Sequence, residues 1–306
     1  MSLAAGTPSS HREGQTIAGA SRLVRYVNFV KLPHTVFALP FALVGVTLAT
    51  RFAPATPRLL GWVVLAFTAA RFAAMGFNRI VDRHFDARNP RTAMRELPSG
   101  AMSVTEAAAL VFVAAALFEL AAWKINPLCF ALSPVALAWV GFYSFTKRFT
   151  RWSHLVLGIG MGIAPAGGYL AVTGQWSDPW WLLLALVLAV MTWGGGFDVM
   201  YALQDIAFDR EHGLFSLPAM VGAAAAIQIA RTLHAMTILF LAAAGLGAGG
   251  GWLFGIGVTV VMALLVYEHS LVSAADQSRL DAAFFTMNGV ISIAFFAFVL
   301  ADRLMR

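Results

Sequence analysis

One cysteine, Cys129, stands among 306 residues. A single thiol excludes a disulfide framework within the chain and any metal cluster built on several cysteines. The seven histidines are scattered without the paired spacing of a zinc site. The sequence also contains no glycine-rich phosphate loop and no G-x-S-x-G motif, so neither P-loop nucleotide chemistry nor an elbow-type serine hydrolase is indicated.

Charge is scarce as well. Only 12% of the residues are charged and 59% are hydrophobic, with a mean hydropathy of +0.75, whereas soluble domains are roughly 25% charged and 45–50% apolar. The composition therefore predicts an integral membrane protein. Nine nearly uncharged windows are long enough to approach or cross about 30 Å of hydrocarbon, namely residues 32–50, 59–78, 104–123, 127–145, 152–172, 179–201, 222–245, 252–267 and 283–301.

These windows are too long for barrel strands and show no strand-type alternation, so the expected fold class is all-α, a bundle of about nine transmembrane helices around a central cavity. Residues 1–20 lack the apolar core of a secretory signal peptide and are expected to be a disordered tail. Residues 21–306 then form one transmembrane domain.

The basic residues indicate the orientation of the bundle. If the N-terminus is cytoplasmic, 14 of the 21 Lys and Arg residues fall on the cytoplasmic side and five on the outer side, with Arg71 and Arg231 inside spans. This bias follows the positive-inside rule. The net charge of +6 therefore reflects membrane topology, and nucleic acid is not an expected partner.

Two aspartate-rich segments contain five of the 15 acidic residues. They cover residues 78–86 and 198–209, and both follow apolar windows on the predicted cytoplasmic side. Asp82 and Asp86, like Asp205 and Asp209, are four residues apart, so each pair shares one face of a helix. Paired carboxylates are hard ligands for Mg²⁺, which normally keeps positions open for phosphate. The segments predict binding of a metal-bound diphosphate, although a single acid of this kind also serves ordinary helix-end solvation.

Other polar side chains fall near these acids. Asn78 lies one turn before Asp82 and offers an amide oxygen or a capping hydrogen bond, while Arg71 lies on the same stripe inside a span, where a charge faces a cavity or an ion-pair partner. Tyr201 and Asp198 precede Asp205 and are expected to face the same cavity, although Tyr at an interface is also a common membrane anchor. Each acidic segment runs into a Pro/Gly-containing loop of the kind that forms functional lids, residues 89–100 and 213–218.

This pattern resembles the UbiA superfamily of intramembrane prenyltransferases, in particular its 4-hydroxybenzoate polyprenyltransferase branch. The resemblance covers nearly the whole chain after residue 20. It is carried by Arg71, Asn78, Asp82, Arg83, Asp86, Arg91, Thr92, Arg95, residues 97–100, Tyr143, Lys147, Arg148, Asp198, Tyr201, Asp205, Asp209, Gly213 and Ser216. It implies a nine-helix fold in the inner membrane with its active site facing the cytoplasm.

The resemblance also implies roles for these residues. Catalysis is expected from Asp82, Asp86, Asp205, Asp209 and Tyr201; Mg²⁺ binding from the same four aspartates with Asn78; and substrate binding from Arg71, Asn78, Lys147, Arg148, Asp198 and Arg91. The implied reaction is Mg²⁺-dependent transfer of a polyprenyl group from its diphosphate to a hydroxylated aromatic acid resembling 4-hydroxybenzoate, in respiratory quinone synthesis. Donor, acceptor and membrane lipid are the expected partners.

Two alternatives stay open. Asn28 and Phe215 stand where the 4-hydroxybenzoate branch often has Arg and Lys, so a dihydroxynaphthoate on a menaquinone route is a second candidate acceptor. Intramembrane acids also mark ion pathways, so a transporter of cations or phosphorylated lipids is a further hypothesis. The position of the acids at helix ends, away from the midplane, favours the enzyme.

Overall fold

The structure, a computed structural model, describes residues 21–280 and 286–306, and within these ranges it is helical with no β-strand. The helices are α1 Arg22–Phe29, α2 Leu32–Ala49, α3 Pro57–Arg88, α4 Val104–Ile125, α5 Pro127–Thr146, α6 Ser153–Thr173, α7 Trp181–Tyr201, α8 Ile206–Glu211, α9 Leu217–Val221, α10 Ala223–Ala248, α11 Trp252–Ser270 and α12 Asn288–Leu304; a 3₁₀ helix, Ala202–Asp205, joins α7 to α8.

Local sequence signals set many of the helix ends. The side chains of Thr56, Ser103 and Asn126 accept hydrogen bonds from backbone N–H groups in the first turns of α3, α4 and α5. Such caps satisfy donors that the helix itself leaves unpaired. Gly174 and Gly249 follow α6 and α10 in the left-handed conformation, which glycine adopts without a steric cost.

The predicted windows correspond to long apolar helices. Among the described residues, seven helices are long and apolar enough to cross a membrane: α3, α4, α5, α6, α7 with its continuation to Glu211, α10 and α11. Two further windows coincide with α2 and, in part, with α12. The all-helical membrane fold is therefore confirmed, and the count of nine spans stays a prediction. The predicted tail at residues 1–20 lies outside the described residues.

Helix α7 forms the centre of the bundle. It packs against α6 and α10, while α2 packs against α6. Small residues bring these backbones together: a Cβ added at Gly158 would overlap the carbonyl oxygen of Met191, and one at Gly168 would overlap that of Ala42. Close approach at glycine is a common way for membrane helices to gain packing energy. Helices α2, α6 and α7 are therefore tightly packed against one another.

Helix length explains where the acidic segments lie. Helix α3 has 32 residues, which span about 48 Å at 1.5 Å per residue, well beyond a hydrocarbon core of roughly 30 Å. Its last turns, with Asp82 and Asp86, therefore project past the apolar part. Helix α7 ends at Tyr201, and the second acidic segment continues from that point.

Two polar residues are buried inside the bundle. Glu268 lies in the last turn of α11, which continues to Ser270, and it is fully buried. His234 is 2% exposed, and its Nδ1 lies 2.9 Å from Nε2 of His269 on α11. His234 therefore links α10 to α11.

Candidate active site

The eleven side chains that sequence analysis singled out line one cavity of about 440 Å³. This volume is within the usual range for small-molecule sites, about 300–1,000 Å³. The residues come from α3 and the loop after it, from the ends of α5 and α7, from the 3₁₀ helix and from α8: Arg71, Asn78, Asp82, Asp86, Arg91, Lys147, Arg148, Asp198, Tyr201, Asp205 and Asp209. Residues distant in sequence are thus brought together, while their roles stay predictions.

The first acidic segment is a regular part of α3. Asn78 donates from Nδ2 to Oδ2 of Asp82 over 2.9 Å, which leaves its amide oxygen as the atom able to face a cation. Arg148 approaches the other oxygen of Asp82 at 3.3 Å. Asp86 pairs with Arg95 at 2.6 Å, and its Oδ2 is buried without a hydrogen-bond partner among the described residues.

The loop after α3 folds back over the cavity. Arg91 forms a two-bond contact with Asp205, with Nη2 2.7 Å from Oδ2 and Nε 3.1 Å from Oδ1. Its Nη1 also donates to the hydroxyl of Tyr201 over 3.2 Å. Asn89 adds a hydrogen bond to Asp205 Oδ1 at 3.1 Å. This loop therefore links the two acidic segments.

The second acidic segment is not one continuous α-helix. Asp198 lies in the last turn of α7, Asp205 in the 3₁₀ helix and Asp209 in α8. The expectation that Asp205 and Asp209 occupy one regular helical face is therefore only approximately met, because a tighter turn precedes α8. Asp209 is 2% exposed and accepts a hydrogen bond from Ser216 Oγ at 2.6 Å.

Lys147, directly after α5, lies among the acids. Its Nζ is 4.0 Å from Oδ2 of Asp209. Burial alone would lower the pKa of Lys147, but the carboxylates of Asp209, Asp205, Asp198 and Asp82 outweigh burial and hold that pKa above its ordinary value. The ammonium group therefore stays charged at neutral pH and contributes positive charge to the cavity.

The other end of the cavity is apolar. Phe41, Phe67, Phe118, Trp193 and Phe197 line it, and Trp193 and Phe197 meet edge to face with ring centroids 5.0 Å apart. Arg71 lines the cavity eleven residues before Asp82 on α3, which is about 16 Å along the helix axis. The cavity thus combines a charged mouth with an aromatic interior.

Several contacts at the site were missed from the sequence. The sequence indicates only that Asn89 belongs to a loop, and its hydrogen bond to Asp205 joins residues 116 positions apart. His154 is one of the histidines whose spacing indicates no metal site; it is fully buried, and its Nδ1 lies 2.6 Å from Oδ2 of Asp198. No local pattern in the sequence marks either contact.

The carboxylate oxygens of the cavity suit a hard cation that also binds a phosphate-containing ligand. In the described part of the chain no group of three or more His, Cys, Asp or Glu side chains is placed to hold a metal. The acids instead occur as two pairs, Asp82 with Asp86 and Asp205 with Asp209. Mg²⁺ commonly takes one or two carboxylates and completes its shell with substrate phosphate and water, so the pairs and the unpartnered Oδ2 of Asp86 fit it.

The model of the UbiA prenyltransferase family matches residues 38–295. Among curated proteins, 4-hydroxybenzoate octaprenyltransferases are similar to this chain. That of Citrobacter koseri is 32% identical over 252 residues, covering 79% of this chain and 83% of the relative. That of Aromatoleum aromaticum is 32% identical over 233 residues, covering 75% and 77%.

Solved structures agree with this match. The apo structure of a UbiA homolog from Aeropyrum pernix K1 superposes with a TM-score of 0.80 at 32% identity, covering 88% of this chain and 98% of that one. A UbiA homolog from Archaeoglobus fulgidus, solved with GPP and Mg²⁺, gives a TM-score of 0.69 at 20% identity, covering 92% and 99%. The second likeness shows the fold.

Proposed function

This chain belongs to the UbiA prenyltransferase family, and we propose that it transfers a polyprenyl group from an allylic diphosphate to a hydroxylated aromatic acid resembling 4-hydroxybenzoate. The observation that carries the proposal is the division of one cavity into a mouth with four aspartates and several cations and an interior lined by aromatic rings. A prenyl diphosphate is divided in the same way, into a charged diphosphate group and an apolar isoprenoid tail.

The four aspartates would hold Mg²⁺. Asp82 and Asp86, with Asn78, line the same cavity as Asp205 and Asp209. When bound, Mg²⁺ withdraws charge from the departing diphosphate and so lowers the barrier to its release. A relative crystallised with GPP and Mg²⁺ is compatible with this use of metal.

The basic side chains at the mouth complete the diphosphate site. Arg91, Arg95, Lys147 and Arg148 all line the cavity and lie close to the acids. Guanidinium groups match phosphate oxygens with two parallel hydrogen bonds, and such charge-assisted bonds are the stronger ones. These side chains stabilise the negative charge that grows on the diphosphate as the allylic C–O bond breaks.

The aromatic interior protects the allylic cation. Ring faces such as those of Trp193 and Phe197 attract a cation electrostatically, and an apolar wall excludes water that would otherwise capture it. The acceptor ring then attacks through the carbon beside its hydroxyl. Arg71, deeper in the cavity, would hold the carboxylate of the acceptor, since a buried carboxylate needs a charged partner.

We propose that the reaction belongs to respiratory quinone synthesis, because a prenylated hydroxybenzoate has the ring and tail of a quinone precursor. We also propose that the mouth of the cavity opens to the cytoplasm. The support for this orientation is the positive-inside bias of the basic residues, four of which are at the mouth itself.

The test uses membranes that carry the protein, an allylic diphosphate and two competing acceptors, 4-hydroxybenzoate and a dihydroxynaphthoate. We expect prenylated 4-hydroxybenzoate, loss of product on chelation and recovery on adding Mg²⁺. Asp82→Asn and Asp205→Asn should each abolish transfer while the protein stays folded in the membrane. If only the naphthoate is prenylated, the acceptor is wrong; if activity survives metal removal, the metal mechanism is wrong.

A further inference from the structure

His154 and Asp198 form a buried pair beside the cavity. His154 lies in the first turn of α6 and is 0% exposed, and its Nδ1 lies 2.6 Å from Oδ2 of Asp198 in the last turn of α7. The Asp198 side chain is 17% exposed and lines the cavity. One oxygen of this carboxylate is therefore committed to His154, and Oδ1 is the one left for a ligand.

A backbone hydrogen bond sets the tautomer of His154. The N–H of Leu217 donates to Nε2 of His154 over 3.4 Å. Because Nε2 accepts, the ring proton of a neutral imidazole lies on Nδ1, which donates to Asp198. Asp198 is thus held by a neutral donor in a fixed direction.

Asp198 differs from the other acids of the cavity in its partners. Asp82, Asp86, Asp205 and Asp209 each lie within 4.0 Å of an Arg or Lys nitrogen. Among the described residues no Lys or Arg is that close to Asp198. A nearby cation stabilises a carboxylate and weakens it as a base, and Asp198 is the one of these five acids without an Arg or Lys nitrogen within 4.0 Å in the described part of the chain.

Asp198 lies deeper in the cavity than the four aspartates at its mouth, where the diphosphate is proposed to bind. Asp198 lies seven residues before Asp205, or roughly 10 Å towards the interior, and next to Phe197 of the aromatic wall. Arg71 lies deeper still on α3, about 16 Å before Asp82. An acceptor whose carboxylate reaches Arg71 would have its ring at the level of Asp198.

We propose that Asp198 is the proton acceptor that restores aromaticity to the prenylated ring, with His154 as its positioning residue. This inference rests on the proposed function. Once the ring carbon has bonded to the prenyl group, that carbon still carries its hydrogen. The C–H bond breaks, its electron pair returns to the ring, and the proton forms an O–H bond with Oδ1 of Asp198. No oxidant or reductant takes part.

The loop before α9 couples this pair to the metal-binding acids. Leu217 N–H holds His154, and the preceding residue, Ser216, holds Asp209 through its hydroxyl. The residue before that, Phe215, donates its N–H to the carbonyl oxygen of Lys147 over 2.7 Å. Three consecutive residues therefore fix the proton acceptor, an acid of the diphosphate end and the lysine between them.

The test measures turnover of an acceptor deuterated at the reacting ring carbon, using whichever aromatic acid the wild type prenylates. Asp198→Asn should lower kcat about 100-fold or more, as removal of a general base does. It should also show a primary isotope effect that the wild type lacks, because proton loss becomes rate-limiting. The donor KM should stay within about twofold. Asp302→Asn is the control, a buried aspartate that accepts hydrogen bonds from Gly251 and Phe254.

Two variants separate positioning from simple packing. His154→Asn keeps an N–H near the place of Nδ1 and should retain most of kcat, whereas His154→Leu should resemble Asp198→Asn. Near-normal turnover in Asp198→Asn, or a loss without an isotope effect, overturns the role of Asp198. Equal losses in His154→Asn and His154→Leu, with no isotope effect, overturn the role of His154. If the wild type prenylates no aromatic acid, the proposed function fails and this inference with it.

Discussion

Arg91 and Asp205, 114 residues apart in the chain, meet in a two-bond contact with N···O distances of 2.7 and 3.1 Å. The pair joins the loop after α3 to the 3₁₀ helix after α7, so it closes one side of the cavity mouth. Arg91 also reaches the hydroxyl of Tyr201. A planar guanidinium makes all these bonds at once, which an ammonium group cannot do.

Arg91→Lys should therefore behave as a damaging change. We expect kcat/KM for the allylic diphosphate to fall about 10- to 100-fold, the range given by loss of one charge-assisted hydrogen bond. Steady-state kinetics with the donor varied measure this. Arg88→Lys, an exposed position at the end of α3, is the matched control and should change little. Equal effects in both variants would contradict the assigned importance of the contact.

The hydroxyl of Ser216 makes two contacts, and a control variant at another helix cap separates their effects. Its hydroxyl caps α9 and also donates to Asp209 over 2.6 Å. Ser103 caps α4 and is not among the residues that line the cavity. Loss of either cap should cost about 1 kcal/mol of stability, so Ser216→Ala and Ser103→Ala should have similarly lowered thermal midpoints in detergent. Only Ser216→Ala should lose prenyl transfer, and full activity in that variant would argue against its contact with Asp209.

The pairs of acids were predictable because carboxylates four residues apart share a helix face, which depends only on residues close together in the sequence. The long apolar windows were predictable because the number of residues needed to cross a bilayer can be counted in the same way. The contact of Arg91 with Asp205 was not, because it depends on how a loop of irregular backbone folds back across the bundle. Only the family resemblance points to Arg91.

The 3₁₀ turn at Ala202–Asp205 was also missed. The sequence there carries no proline or glycine, so hydrophobic periodicity alone predicts a continuous helix. The contact of His154 with Asp198 joins different helices 44 residues apart. A buried histidine of this kind has no spacing signal, and only the packing of α6 against α7 brings it to the cavity.

Substitutions at two neighbouring glycines of α6 test how tightly α6 packs against α2. A Cβ at Gly168 would overlap the carbonyl oxygen of Ala42, whereas one at Gly167 would meet nothing within 4 Å. We expect Gly168→Ala to lower stability by about 1–3 kcal/mol, as overpacking does. Gly167→Ala should be neutral or slightly stabilising because alanine favours the helix. The measurement is thermal unfolding of both variants in detergent. Equal midpoints would mean that α2 and α6 move apart easily to make room for the added Cβ.

Topology provides a further test. If the N-terminus is cytoplasmic and there are nine spans, a reporter fused after Arg306 and one inserted near Pro90 should lie on opposite sides of the membrane. The loop near Pro90 carries the basic residues that favour the cytoplasm. Paired reporters, one active only in the cytoplasm and one only outside, measure this. Both sites on the same side would contradict the nine-span arrangement.

Arg71 is the residue on which recognition of the acceptor depends in this proposal. It lines the cavity within α3, eleven residues before Asp82, and so lies away from the four aspartates that we propose bind Mg²⁺ and the diphosphate. Arg71→Ala should therefore raise the KM of the aromatic acid about 10- to 100-fold, the loss expected for charge-assisted hydrogen bonds. The donor KM should change far less.

Arg231→Ala is the matched control for this measurement, because Arg231 also falls within a predicted span but lines a different cavity, between α10 and α11. Its loss should leave both KM values close to those of the wild type. An acceptor lacking the carboxylate sharpens the comparison, since Arg71→Ala should use it as well as the wild type does. If Arg71→Ala instead raises the donor KM more, Arg71 serves the diphosphate, and the acceptor carboxylate must be held elsewhere.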